Sequence, residues 1–234
     1  MYGNVKPEKL DISLLTVAEK TIRSPATVED KISTEKKRQE ALDQVQDVYT
    51  LKKEYSSNQV DLISSIFDSG TEVNEEIEDE RKKQIAAEEE PIDVLQPTIE
   101  EEVTMLKAKL TDRVIKDLSD RVFTALVQAG NDELAIAKDL TVTAINSVMN
   151  KRISADDVEN AKKSLEEELK FTTLNSDLKN AAIELGRYAV IQNEFYDPEA
   201  TEQLRKQTAE SIEPVRILQG QIIIEEGKLI RQEE

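Results

Sequence analysis

The sequence predicts a mainly α-helical α+β fold, with a helical bundle inserted between N- and C-terminal segments that together build a small β-sheet. Three observations predict it. Only six glycines and six prolines interrupt 234 residues, so long helices meet few breakers. Aromatic residues make up 4% and Trp is absent, so the core rests on aliphatic side chains, which suit helix–helix grooves. β-Branched runs bounded by Gly and Pro lie near both ends, with helical periodicity between them.

The elements follow in order. The first 25 residues read as extended, with Ile12, Leu14, Leu15 and Val17 as a short apolar run. Thr21-Ile22-Arg23 leads into Ser24-Pro25, where proline drives the preceding residue out of the helical region. Thr27 and Asp30 have the spacing of a capping box, opening a charged helix to about Gln46 with Val28, Ile32, Leu42 and Val45 inward. Val48-Tyr49-Thr50-Leu51 reads as a strand. A second helix carries Val60, Ile63 and Phe67 and should stop near Gly70. Residues 72–89 are polar apart from Val73, Ile77 and Ile85, and Glu78–Lys82 and Asp79–Lys83 are spaced as supporting ion pairs. This stretch predicts a protruding or edge helix, its apolar stripe being too sparse for a coiled-coil seam.

Pro91 and Pro97 break the chain, and Thr98 with Glu101 forms a second capping box. Apolar positions recur through Val103, Leu106, Leu110, Val114, Leu118, Val122 and Leu126, stopping at Gly130. The next helix, 132–150, carries Leu134, Ile136, Ala137, Leu140, Ile145 and Val148. Ser154 caps another to about Lys170, and the last bundle helix spans 175–192 with Leu178, Ala182, Leu185 and Ala189. Short turns join these helices into a bundle. The expected division is a terminal unit of 1–51 with 193–234, and a helical insertion of 52–192.

Asp197-Pro198-Glu199 is a strong helix start, with the cap, the first-turn proline and an acid at the positive dipole end. A shift of 167 positions lays Asp197, Thr201, Glu202, Arg205, Val215 and Leu218 on Asp30, Thr34, Glu35, Arg38, Val48 and Leu51 without a gap. The repeated unit is a capped helix followed by a strand. Asp30, Thr34 and Arg38 with Asp197, Thr201 and Arg205 are therefore the candidate interaction clusters. Each Asp should cover free N–H groups, with its Thr one turn later and its Arg on the same face. The same residues also read as plain caps and surface charges. Two strand candidates, Val215–Leu218 and Gln221–Ile224, lie about Gly220, and Gly227 turns the chain again.

Composition excludes several chemistries. The chain has no Cys and no His, which removes thiolate nucleophiles, Ser-His-Asp systems and imidazole-ligated metals. Consecutive acids such as Glu88-Glu89-Glu90 and Glu100-Glu101-Glu102 point to different helix faces, so no metal site and no cofactor are expected. A carboxylate-pair glycosidase would stack sugars on aromatic rings that this chain lacks. The net charge of −18 argues against nucleic acid as a partner. No apolar run approaches a transmembrane span, and Met1-Tyr2-Gly3-Asn4 does not open a signal peptide.

Two stretches carry a family resemblance. Thr21-Ile22-Arg23-Ser24-Pro25, Thr27-Val28-Glu29-Asp30, Thr34-Glu35 and Arg38 form the first. Asn193, Tyr196-Asp197, Thr201, Arg205 and Gly220-Gln221-Ile222-Ile223-Ile224-Glu225-Glu226-Gly227 form the second. They resemble the extracellular domain of the seven-transmembrane HD-hydrolase family, the PgpH-type cyclic di-AMP phosphodiesterases of bacteria. Gln192 departs from the pattern, where proline is expected. The resemblance implies a non-catalytic sensory domain on the extracellular face of the membrane, with an unidentified extracellular ligand or protein as partner. It also implies transmembrane segments and a cytoplasmic HD domain elsewhere in the parent, whose metals need His ligands that this chain lacks. The competing reading is a soluble helical adaptor for protein–protein interaction.

Overall fold

The computed structural model describes residues 14–87 and 96–230; Ile12 and the acidic triplet Glu88-Glu89-Glu90 lie outside them. The chain divides into two compact units. Among the described residues, one comprises 14–48 with 197–230 and the other Tyr49–Tyr196.

The terminal unit is an antiparallel ribbon with two helices. β1 (Ile22–Arg23) and β2 (Val28–Glu29) pair with strands from the other end of the chain. α1 (Lys31–Asp43) follows at once. The helical unit opens with β3 (Tyr49–Leu51) and α2 (Lys53–Ala87). Its bundle continues with α3 (Ile99–Ala108), α4 (Asp112–Asp117), α5 (Asp120–Gln128) and α6 (Asn131–Met149). It is completed by α7 (Val158–Lys170), α8 (Ser176–Ala189) and β4 (Glu194–Tyr196). The terminal unit resumes with α9 (Pro198–Ser211), β5 (Arg216–Ile217) and β6 (Ile222–Ile224).

The strands form three two-stranded pairings rather than one sheet: β1–β6, β2–β5 and β3–β4. β5 and β6 do not form a hairpin about Gly220. Each runs back along an N-terminal strand, with Val28 opposite Ile217 and Ile22 opposite Ile224. Gly220 adopts φ +83°, and its N–H donates to the Ser24 carbonyl, so the glycine turns within the ribbon. Beyond β1 and β6, Val17 faces Leu229, and Leu15 N–H donates to the Ile230 carbonyl.

The large apolar core lies wholly in the helical unit, from Ile63 to Val190. Leu178, Ala182, Leu185 and Ala189 are all buried there, one turn apart along α8. Close packing fixes Gly186, where an added Cβ would meet the Leu165 side chain at 2.5 Å. α2 does not stop at Gly70 but runs 35 residues, about 50 Å. Gly70 faces Leu126 and Leu134, so its lack of a side chain serves packing inside the helix. Past buried Val73 the exposed turns carry the expected Glu78–Lys82 pair. Lys83 pairs with Glu80 rather than Asp79.

Three other expectations are corrected. α1 is capped by Asp30 and not Thr27, because β2 occupies the residues between them. Val28 is exposed in strand β2 and not on a helix, and Ile32 on α1 and Ile136 on α6 are exposed as well. α7 starts at Val158, and the Ser154 hydroxyl donates to the Asp157 carboxylate instead of capping the helix.

The terminal unit has little apolar core. Its buried side chains among the described residues are Ala18, Ile224 and Ile230 together with Ser24, Thr34 and Thr201. Hydroxyl groups and ribbon hydrogen bonds therefore hold it, where aliphatic packing holds the helical unit.

Candidate functional site

The two predicted clusters sit at the starts of α1 and α9 and are built alike. Asp30 is extended at φ −83°, ψ 93°, and its Oδ1 accepts from Ser33 N–H at 2.9 Å. Asp197 is extended at φ −113°, ψ 94°, and its Oδ1 accepts from Ala200 N–H at 2.9 Å. Both satisfy amides that the first helical turn leaves without partners. Hydrogen bonding from the Ser33 side chain, and then from its N–H, holds the Asp30 carboxyl below its ordinary value of 3.8.

Thr34 and Thr201 lie one turn later and are each 1% exposed. The Thr34 hydroxyl donates to the Asp30 carbonyl at 2.6 Å and accepts from Val215 N–H at 2.9 Å. The Thr201 hydroxyl donates to the Asp197 carbonyl at 2.8 Å and accepts from Val48 N–H at 2.9 Å. Asp30 N–H donates to the Val215 carbonyl, and Asp197 N–H to the Val48 carbonyl, both at 2.8 Å. Val215 and Val48 are themselves equivalent under the shift of 167. Each copy's cap and threonine thus hold the residue that leads into the strand after the other copy's helix.

The same shift relates the strand registers. Tyr49 opposite Tyr196 corresponds to Arg216 opposite Glu29, and Thr50 opposite Phe195 to Ile217 opposite Val28. These pairings lie in different units, so the correspondence is one of register along the chain.

The arginines do not join the clusters. Arg38 pairs with Glu35 at 3.5 Å and Arg205 with Asp47 at 3.6 Å, both pairs partly exposed. Arg205 lies instead on a groove of about 520 Å³ between α1 and α9. Gln39 and Lys206 line it from equivalent positions, as do Leu42 and Ala209. Each Asp and Thr of the clusters is engaged with backbone groups at a helix start.

Sequence reasoning singled out Asn193 only as part of a resemblance. In the structure it is fully buried in the helical unit. Its amide donates to the Met149 and Lys151 carbonyls at 2.8 and 3.0 Å, and its Oδ1 accepts from Ile153 N–H at 2.8 Å. One side chain therefore clamps the α6–α7 connection. No periodicity signals such a residue, because its partners are backbone groups 40 or more positions away.

The profile of the family described as 7TM-HD extracellular matches residues 13–234. The chain is 40% identical over 233 residues to a cyclic-di-AMP phosphodiesterase PgpH of Bacillus subtilis (strain 168), covering 100% of the chain and 31% of that protein. It is 36% identical over 234 residues to a cyclic-di-AMP phosphodiesterase PgpH of Listeria monocytogenes, covering 97% and 33%. The chain spans about a third of the length of these relatives. No solved structure matches it. No described helix is long and apolar enough to cross a membrane.

Proposed function

The chain belongs to the 7TM-HD extracellular domain family, and on that premise we propose that it is a non-catalytic regulatory domain biasing a cyclic-di-AMP phosphodiesterase domain across the membrane. One observation carries this reading. The outgoing and returning strands run side by side, from Asp30 N–H on the Val215 carbonyl to Leu15 N–H on the Ile230 carbonyl. A domain lodged between two membrane spans must send the chain out and bring it back, and an antiparallel ribbon does both. Displacement of α1 reaches both strands, because β2 runs directly into Asp30 while Asp30 and Thr34 hold Val215 beside β5. α9 is linked to α1 in turn through Asp197 and Thr201 on Val48. The duplicated helix-and-strand unit belongs to the same proposal, as does the groove between α1 and α9 as the place where an extracellular ligand or protein acts. Two-metal HD hydrolysis, which the resemblance places in the cytoplasm, needs His ligands, and this sequence has none.

The test compares three proteins with cyclic di-AMP and manganese. The isolated chain should show no hydrolysis, the complete membrane protein should turn over, and removal of this domain should change that turnover. Hydrolysis by the isolated chain that is lost on mutation within it overturns the reading. Equal turnover with and without the domain does so too.

A further inference from the structure

The tip of the ribbon is apolar and open to solvent. Val17 and Leu229 face each other across the two strands and are 58% and 42% exposed. Directly opposed residues project to one side of a ribbon, so these two form a single apolar face. Their neighbours Ala18 and Ile230 alternate to the other side and are buried. Leu14 and Leu15 extend the exposed group at 60% and 78%. Leu15 also holds φ +65°, a conformation that leucine rarely adopts, yet its side chain gains no burial within the chain. The described tip residues, 14–20 and 225–230, carry Glu19, Lys20, Glu225, Glu226 and Lys228, so their charges nearly cancel.

We propose that this tip, Leu14, Leu15, Val17 and Leu229, docks on the outer surface of the bilayer that anchors the parent protein. Two facts select lipid over other occupants. Both strands leave the described ribbon at this tip, and two-thirds of each relative's length lies outside the matched region. In a domain belonging to a seven-transmembrane family, the tip is therefore the part that the tether keeps nearest the membrane. The contact is apolar, since a chain of net charge −18 gains nothing from anionic headgroups. Aliphatic side chains in such a contact enter the headgroup and acyl boundary by about 5–10 Å. Docking would hold the ribbon at a fixed height, so that helix movements reach the spans. It rests on the extracellular placement of the domain and not on any regulation of catalysis.

The experiment uses the complete membrane protein with its other cysteines replaced, reconstituted in phosphatidylcholine–phosphatidylglycerol vesicles. This chain contributes no Cys, so a nitroxide at Leu15→Cys or Leu229→Cys is unique within it. A control label goes at Gln207→Cys, exposed on α9 at the other end of the ribbon. Docking predicts that both tip labels lose collisions with a water-soluble nickel chelate and gain them with oxygen, unchanged by salt, while the control stays open to the chelate. Adding Leu14→Asp and Val17→Asp should return the Leu229→Cys label to solvent. Tip labels as accessible to the chelate as the control overturn the proposal. Shielding that disappears when the protein is diluted to one copy per vesicle, with dipolar broadening before dilution, assigns the face to a second copy and overturns it as well. Turnover is not read, so regulation can fail while docking stands.

Discussion

The Thr34 hydroxyl accepts the Val215 amide proton at 2.9 Å, and the Thr201 hydroxyl accepts that of Val48 at the same distance. The first contact joins residues 181 positions apart, the second 153. Neither threonine can be replaced by an isostere without a methyl facing a buried N–H. Thr34→Val and Thr201→Val should each cost about 1–3 kcal/mol. The serine variants, which keep the hydroxyl, should cost less. Chemical denaturation of the four variants checks this, and equal losses for Ser and Val would remove the hydroxyl from the account.

Protection should follow the unequal cores. The terminal unit buries three aliphatic side chains among its described residues, while the helical unit buries one continuous cluster. Amides of β1, β2, β5 and β6 should exchange faster than those of α6 and α8, because sub-global opening exposes little apolar surface there. Hydrogen exchange read by mass spectrometry gives the order directly.

Gly186→Ala separates packing from propensity. Alanine favours the helix by about 1 kcal/mol, but overpacking costs about 1–3 kcal/mol. Leu165 is fully buried, and its Cδ atoms would lie 2.5 and 3.1 Å from the new carbon. The variant should therefore be destabilised. Combined with Leu165→Ala it should lose less than the sum of the two single changes, as a double-mutant cycle will show.

Acid should weaken the helix starts. The Asp30 carboxyl lies below 3.8 through hydrogen bonding from Ser33, and Glu101 lies below 4.5 through the Thr98 N–H and then its hydroxyl. Each contributes stability that is complete above its ordinary value and lost as pH falls through the lower folded value. Glu102 runs the other way: burial raises it above 4.5, so its protonation relieves a penalty. Asp30→Asn with Glu101→Gln should flatten the fall in Tm between about pH 5 and about pH 3. Circular dichroism melts at several pH values measure it, and an unchanged slope would assign acid sensitivity to other groups.

What the sequence made legible was local. The Asp197–Pro198 start, the Thr98–Glu101 capping box and the α8 stripe can be read because their determinants lie within a turn or two. Gly70 misled because its demand comes from Leu126 and Leu134, distant in sequence. Val28 looked inward by helical spacing, yet it sits in a strand whose partner is residue 217. The shift of 167 aligned Asp30, Thr34 and Val48 with Asp197, Thr201 and Val215. It could not show that each copy holds the other's valine. Asn193 stayed silent because its partners are carbonyls and an amide, which leave no side-chain pattern.

The regulatory account depends on the start of α1 being coupled to both strands of the ribbon, and on the start of α9 holding the residue that follows α1. The direct test is cyclic di-AMP turnover by the complete membrane protein carrying Thr34→Val with Thr201→Val, beside the same pair of changes in the isolated chain to confirm that it still folds. The account predicts a changed kcat for the membrane protein, while its cytoplasmic domain alone keeps its own value. Unchanged kcat and KM, with the Val215 and Val48 amides demonstrably loosened by hydrogen exchange, would contradict it.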